Sequence, residues 1–183
     1  MDAITCPSLQ YRRHSPGPLN GEYVKTKGHY HPENPVCVGY PEVYEVLEGK
    51  AHFLLQKKSL DDIVLVEAAM GDIVLIPPGY GHVTINPAPE ETLTMANLVS
   101  TAFSSEYGFY GEMHGAAYYE LAANILEKNP RYPDIPAIRK TDASAFPLTL
   151  CKSSKSLYNC IGDDIIARLL NHPEEYPDSF KMK

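Results

Sequence analysis

The chain from residue 21 to residue 98 is built from short runs of β-branched and aromatic residues separated by turn-forming residues. The runs are EYVKTKGHYH, EVYEVLEG, AHFLLQK, DIVLVEA, GDIVLIP, HVTINPAP and LTMANLVS. Short strands at regular intervals, punctuated by Gly, Pro, Asn and Asp, are typical of an antiparallel sandwich or a small barrel. Pro77, Pro78, Pro87 and Pro89 cannot lie in central strands, so they mark loops. The sequence therefore predicts an all-β fold.

The chain beyond residue 115 carries weaker signals. AAYYELAANILEKNP could form an amphipathic helix, but we favour a strand over residues 118–121. NPRYPDIPAIRKTDASAFP is rich in proline and polar residues, which indicates an ordered arm or a linker on the surface. GDDIIARLLNHPEEYP opens with acidic residues and closes with proline, which predicts a C-terminal helix. The stripe of this helix that would cover the core comprises Ile165, Ile166, Leu169 and Leu170.

The size, charge and cysteine content of the chain limit its function. We expect a β-barrel domain with an N-terminal arm over residues 1–141 and a C-terminal extension over residues 142–183. The net charge of -7 opposes nucleic-acid binding, although a small phosphorylated substrate is compatible with it. No apolar run approaches the ~20 residues of a membrane span. The four cysteines lack a CxxC pair and the N-terminus lacks signal-peptide features, which indicates reduced thiols in the cytoplasm.

The stretch TKGHYH places His29 and His31 one residue apart. In a strand these side chains share one face, roughly 7 Å apart along the chain, so they could hold one cation. The HxH pattern also arises by chance in surface strands. Two histidines alone therefore leave a metal site and a plain surface pair open.

Further ligand types follow in two later blocks. Glu42 begins the strand-like run EVYEVLEG, and His82 lies in GDIVLIPPGYGHVTIN. Three imidazoles and one carboxylate suit Fe(II), Mn(II) or Zn(II) better than calcium or magnesium. Four such ligands would leave two octahedral positions open for a substrate.

The two blocks resemble the paired cupin motifs. The second block matches that pattern at every specified position, namely Gly71, Pro77, Gly79, His82 and Asn86. The first block departs from it, because Tyr23 replaces the leading glycine and residues 32–41 replace a spacer of three or four residues. A longer hairpin loop is tolerated if the strands keep their register. Glu45 is a rival carboxylate, but it falls on the strand face opposite that of Tyr44.

More narrowly, the chain resembles the cupin-type glucose-6-phosphate isomerase family found chiefly in archaea. The resemblance is carried by TKGHYH, PEVYEVLEGKAHFLLQ, GDIVLIPPGYGHVTIN and the EYG of residues 106–108. It implies a cupin jelly-roll β-barrel that interconverts glucose 6-phosphate and fructose 6-phosphate in glycolysis or gluconeogenesis. The expected mechanism is proton transfer through a cis-enediol, with a metal-assisted hydride shift between the carbons as the rival mechanism. The resemblance also implies a cytoplasmic homodimer with one divalent metal, Fe(II) first and Mn(II), Zn(II) or Ni(II) as alternatives.

The same resemblance implies a role for each site residue. The metal ligands would be His29, His31, Glu42 and His82. Glu42 would also be the catalytic base, assisted by Tyr44, and the phosphosugar would contact Thr26, Gly28 and Tyr107. Strict alternation puts Thr26 on the face opposite His29, so a bulge at Gly28 has to turn it inward.

Two other functions use the same residues. An Fe(II) cupin dioxygenase would bind O2 in the open metal positions but has no need of a phosphate anchor such as Thr26. A non-catalytic sugar-phosphate-binding cupin would keep the pocket without turnover. An assay of isomerisation, before and after chelation, separates all three.

Overall fold

The computed structural model describes residues 7–145 and 156–182, and most of its regular structure is strand. The strands are β1 (Ser8–His14), β2 (Pro18–Leu19), β3 (Glu22–Tyr23), β4 (Glu42–Glu48), β5 (Lys50–Lys57), β6 (Ile63–Ala69), β7 (Ile73–Ile76), β8 (Tyr80–Ile85), β9 (Leu93–Val99), β10 (Tyr118–Leu121), β11 (Ile125–Lys128) and β12 (Arg139–Asp142). The α-helices are α1 (Gly108–Glu112) and α2 (Asp164–Asn171), and short 3-10 helices cover Ala122–Asn124, Ala143–Ala145, Leu157–Cys160, Pro173–Glu175 and Pro177–Phe180. None of the helices in the described ranges has the length and apolar character needed to cross a membrane.

Two four-stranded sheets share the larger hydrophobic core. One sheet has the strand order β1-β9-β4-β7 and the other β12-β6-β5-β8. Val43, Phe53, Val64 and Met95, which come from both sheets, are fully buried in this core. Across the described residues the sheets keep open edges and do not close into one hydrogen-bonded barrel. Two sheets that pack on one shared core confirm the predicted all-β jelly roll.

The sheet that contains β5 is buried on both of its faces. A third sheet, in the order β11-β10-β3-β2, and α1 contribute residues to a second core on its outer side. Neighbouring residues of β5 thus enter different cores, Leu54 the second and Leu55 the first. This explains the continuous apolar runs of β5 and β6, since a strand covered on both sides needs no polar face.

The chain after residue 115 extends these sheets. Residues 118–121 form β10, so the strand prediction is confirmed and the helix alternative is wrong. The proline-rich arm is ordered, because it buries Tyr132 and Ile135 in the second core. It ends in β12, which pairs in parallel with β6 as an edge strand.

The predicted C-terminal helix is confirmed as α2. Its first turn is capped by Asp163, whose carboxylate accepts hydrogen bonds from the backbone N–H groups of Ile165 and Ile166. Ile166, Leu169 and Leu170 are buried in the first core. Ile165 is 49% exposed, so the predicted apolar stripe is wrong at this residue.

A buried carboxylate attaches the C-terminal extension to β4. Glu45 accepts hydrogen bonds from the backbone N–H of Leu157 at 2.8 Å and from the hydroxyl of Ser156 at 3.2 Å. Cys160 follows in the same 3-10 turn and is disulfide-bonded, so the expectation of reduced thiols is wrong there. Cys37 is a free thiol. The division of the chain at residue 141 stays a prediction.

Residues 24–31 lie along the edge of β8 and pack against α1. A Cβ atom placed on Gly28 would lie 2.1 Å from Cδ1 of the Tyr110 ring. Tyr110 is only 2% exposed, so its ring has no free space into which it could move. The second core therefore requires glycine at residue 28.

We predict that Gly28→Ala lowers the free energy of unfolding by about 1–3 kcal/mol, because the added methyl group overpacks the Tyr110 ring. Gly111→Ala is the matched control, since a Cβ atom at Gly111 meets nothing within 4 Å. Urea titration followed by circular dichroism measures both variants. Equal midpoints for the two would contradict the packing argument.

Candidate metal centre

A β-bulge sets the direction of the side chains in residues 24–31. Lys25 pairs with Ile85, and His29 pairs with His82. The segment advances from 25 to 29 while β8 runs back from 85 to 82, so the segment holds one extra residue. The bulge that the sequence requires is therefore present.

The bulge places Thr26 on the inner face of the sheet. Thr26 pairs with Thr84, since its N–H donates to the Thr84 carbonyl at 2.8 Å and its hydroxyl accepts from the Thr84 N–H at 2.9 Å. Paired residues point to the same face, and Thr84 shares that face with His82 two residues away. The hydroxyl of Thr84 is buried without a hydrogen-bond partner.

Four predicted ligands converge between the two large sheets. The candidate ligand atoms of His29, His31, Glu42 and His82 all lie within 4.8 Å of one another. Oε2 of Glu42 is 3.3 Å from Nε2 of His31, 3.3 Å from Nε2 of His82 and 4.0 Å from Nε2 of His29. Residues from three separate strand segments thus point one nitrogen or oxygen atom each at the same place.

Hydrogen bonds hold two of these side chains in position. Nδ1 of His31 donates to the carbonyl oxygen of Tyr40 at 2.9 Å, which leaves Nε2 as the free nitrogen. The side-chain amide of Asn97, on β9, donates to Oε1 of Glu42. Oε2 of Glu42 then remains the oxygen that faces the imidazoles.

The charges in this cluster favour a cation. Burial lowers the pKa values of His29 and His82, and the Glu42 carboxylate offsets only part of this, so these imidazoles are neutral. Burial would raise the pKa of Glu42, but the close approach of the His31, His82 and His29 rings outweighs burial and lowers it to about 2. An ionised carboxylate is therefore buried beside neutral rings, which is costly unless a positive charge joins it.

The unsatisfied atoms of the cluster fit a divalent metal. Nε2 of His31 and Oε2 of Glu42 are buried and have no hydrogen-bond partner among residues 7–145 and 156–182. Three imidazole nitrogens and one carboxylate oxygen form a donor set that suits a first-row transition metal. The cluster could therefore hold such an ion, with coordination positions left for a substrate.

Two of the predicted substrate and catalytic residues lie beside the cluster. The Tyr44 hydroxyl is 3.1 Å from Nε2 of His82, and the Tyr107 ring centroid is 5.3 Å from that of His29. Burial and the Glu42 carboxylate raise the pKa of Tyr44 well above its usual value, while the charge of Arg12 opposes the rise. Tyr44 is thus a protonated phenol, able to donate a hydrogen bond.

The other two predicted substrate residues border a separate cavity. Thr26 and Gly28 line a space of about 280 Å³ together with Lys25, Tyr110 and His114. None of the four candidate metal ligands lines this cavity. The structure therefore brings Thr26 and the cluster to one face without placing them in one continuous pocket.

The unusual loop of residues 32–41 is folded on itself. Oδ1 of Asn34 accepts from the backbone N–H groups of Val36 and Val38, at 3.1 and 3.0 Å. Nδ2 of Asn34 donates to Oε2 of Glu174 in the C-terminal extension, at 2.7 Å. The loop ends at Tyr40, which holds His31, so the insertion preserves the strand register and supports a ligand.

Sequence reasoning overlooked the residues that support the cluster. Asn97 is 1% exposed at an inward position of LTMANLVS, where an apolar residue would otherwise complete the core. That buried polar position was its only signal. Phe103, whose ring centroid is 4.5 Å from that of His31, lies outside the matched motifs. Glu45 points away from the cluster, as the strand alternation predicts.

We predict that Asn97→Ala weakens divalent-metal affinity roughly 10- to 100-fold, because the Glu42 carboxylate loses the hydrogen bond that orients it. Competition of the protein with a chromophoric chelator for Mn(II) measures the affinity. Thr94→Ala is the control, since Thr94 lies on the opposite face of β9 and donates to Glu48. Similar metal affinities for the two variants would show that Asn97 does not support the metal centre.

We also predict that a divalent metal at 100 times its dissociation constant raises the free energy of unfolding by about 2.7 kcal/mol. Thermal unfolding with increasing Mn(II) or Zn(II) measures the effect. His31→Ala should abolish it, whereas His172→Ala, outside the cluster, should keep it. A metal-dependent shift that persists in His31→Ala would place the metal elsewhere.

Solved structures similar to this chain include three proteins. Peruvianin-I, a cysteine peptidase from Thevetia peruviana latex, is 18% identical, with 56% of this chain and 55% of that chain covered and a TM-score of 0.43. A variant of oxalate decarboxylase from Bacillus subtilis is 15% identical, with 62% and 27% covered and a TM-score of 0.45. The Drosophila melanogaster CENP-C cupin domain is 18% identical, with 53% and 60% covered and a TM-score of 0.38. This chain thus spans less than two thirds of each of them.

Sequence comparisons add one family. No curated protein sequence matches the chain. The family model of glucose-6-phosphate isomerase (GPI) matches residues 2–136, which is most of the chain and includes all four candidate metal ligands. The chain therefore belongs to the glucose-6-phosphate isomerase family.

Proposed function

We propose that the protein is a metal-dependent isomerase that interconverts glucose 6-phosphate and fructose 6-phosphate. The observation that carries this proposal is the cluster of His29, His31, Glu42 and His82 in a chain of the isomerase family. The reaction moves one proton between C1 and C2 of the sugar, and it needs a base, a group that stabilises the enediol and an anchor for the phosphate.

Glu42 is our candidate for the base. It is ionised and buried, and Oε1 is the oxygen that does not face the imidazoles. Asn97 holds that oxygen by a hydrogen bond, which fixes the plane of the carboxylate. We propose that, for glucose 6-phosphate, this oxygen takes the proton from C2 and returns it to C1, while the hydroxyl proton of O2 is transferred to O1, so that the cis-enediol becomes the ketose.

Tyr44 is our candidate for the group that serves the sugar oxygens. Its hydroxyl is protonated, buried and adjacent to His82. A phenol in this position can donate a hydrogen bond to O1 or O2 as negative charge develops there. A divalent metal in the cluster would polarise the same oxygens and orient the sugar.

The remaining family roles stay proposals. Tyr107 is 41% exposed beside His29, a position suited to contact with the sugar at the mouth of the site. Thr26 and Gly28 are proposed to contact the phosphate. We further propose that Fe(II) is the native metal and that the protein is a cytoplasmic homodimer, in which β1, an open edge of its sheet, meets a partner.

We predict that the protein loaded with Fe(II) or Mn(II) converts glucose 6-phosphate to fructose 6-phosphate and loses this activity on chelation. Glu42→Gln should lower kcat by at least about 100-fold, since general-base catalysis contributes roughly that much or more. A coupled spectrophotometric assay gives kcat, and metal analysis of each variant shows whether the ion is retained.

Glu45→Gln is the control for this substitution. Glu45 lies on the same strand and is also buried, but it points to the C-terminal extension, and glutamine keeps an acceptor oxygen for Leu157. Its kcat should stay near that of the wild type. A metal-loaded Glu42→Gln variant with a normal rate would show that the base is another group. Binding of the phosphosugar without any turnover by the wild type would instead favour a sugar-phosphate-binding protein.

A further inference from the structure

The inner face of β1 carries a charged residue that none of the matched motifs includes. Arg12 pairs with Met95 of β9, and Met95 pairs with Val46 of β4. Met95 and Val46 are buried in the core between the two large sheets. Because paired residues point to the same face, Arg12 lies on the face that carries the metal cluster.

The strand pairing also places Gln10, two residues before Arg12, on this inner face. Gln10 pairs with Asn97, and Asn97 pairs with Tyr44. Oε1 of Gln10 accepts a hydrogen bond from Nη2 of Arg12 at 2.9 Å. Gln10 thus holds the guanidinium along the row of side chains that leads to Asn97 and the cluster.

Arg12 has no negative partner in the described part of the chain. Among residues 7–145 and 156–182, no carboxylate forms an ion pair with it, although the chain carries more acidic than basic residues. The two lysines of TKGH and its flank are already engaged, Lys25 by the carboxylate of Glu22 and Lys27 by the ring of Tyr107. Arg12 is therefore an exposed guanidinium with free donors on the inner face.

The end of β1 is connected to the end of β8. Nδ2 of Asn86 donates to the carbonyl oxygen of Ser15, the residue after β1, at 3.3 Å. β8 carries His82 and Thr84, and the hydroxyl of Thr84 is buried without a partner. The guanidinium of Arg12 thus lies on the inner face of β1, and the unsatisfied hydroxyl of Thr84 lies on the inner face of β8. These two strands meet at their ends.

We propose that Arg12 is a specificity-determining residue whose guanidinium binds the phosphate group of the sugar phosphate. The planar guanidinium matches two phosphate oxygens with two parallel N–H donors, which makes it a strong and selective anchor for a dianion. An unphosphorylated hexose gains nothing from this contact. The identity of the sugar phosphate rests on the proposed isomerase function, whereas the affinity of the guanidinium for a phosphate group does not.

The test compares Arg12→Ala with Arg13→Ala. Arg13 is the next residue of the same strand and is also exposed, but it pairs with Thr94 and so points to the opposite face. With the metal-loaded enzyme, Arg12→Ala should raise the KM for fructose 6-phosphate at least about 10-fold, the size expected for a charge-assisted hydrogen bond, and leave kcat within about threefold. Arg13→Ala should change neither value, and Arg12→Lys should restore part of the affinity.

A direct binding measurement separates this proposal from the proposed function. Isothermal titration of each metal-loaded variant with inorganic phosphate should show binding weakened about 10-fold in Arg12→Ala and unchanged in Arg13→Ala. If the wild type lacks isomerase activity but this difference appears, the function fails and the anion site stands. Equal KM and phosphate affinity in the two alanine variants would overturn the site, and so would an effect of Arg12→Ala on kcat and metal content alone.

Discussion

The whole site depends on one ionised carboxylate that is buried among three imidazoles. Glu42 is 3% exposed, its pKa is low, and Oε2 has no hydrogen-bond donor. A fold that places a charge in its interior needs a compensating group there, because the loss of hydration costs several kcal/mol. The two sheets, the bulge in residues 24–31 and the amide of Asn97 all position groups around that charge. The centre is therefore incomplete as a protein-only structure, which is why a cation fits it.

Much of the fold and the ligand set could be predicted from local sequence. Strand patterning and turn residues predicted an antiparallel sandwich or small barrel, the family resemblance implied the jelly roll, and the motif spacing selected His29, His31, Glu42 and His82. Strict alternation also showed that residues 24–31 need a bulge, since Thr26 would otherwise face outward. These features depend on neighbours in the chain or on a fixed spacing, so one sequence contains them.

The features that sequence reasoning overlooked arise from contacts between distant strands. Asn97 and Arg12 reach the site through the pairing of β1, β9 and β4, which no local pattern specifies. The error at Ile165 has the same origin, because a helical stripe defines a face but not how far the neighbouring core extends over it. The disulfide of Cys160 was also unpredictable, since cysteine spacing alone does not give proximity.

The hydrogen bond between Asn34 and Glu174 connects the two parts of the chain that depart from the simple cupin pattern, namely the long loop and the C-terminal tail. Asn34 of the long loop is buried, and its side-chain amide donates to the carboxylate of Glu174 in the C-terminal tail, which is exposed. Removal of the tail would leave the buried amide of Asn34 without this partner, at a cost of about 1–3 kcal/mol. Because the same loop carries the carbonyl that orients His31, a shortened tail would also disturb an imidazole far from it in the chain. The C-terminal tail thus supports the position of His31 through the loop, although none of the four candidate metal ligands comes from the tail.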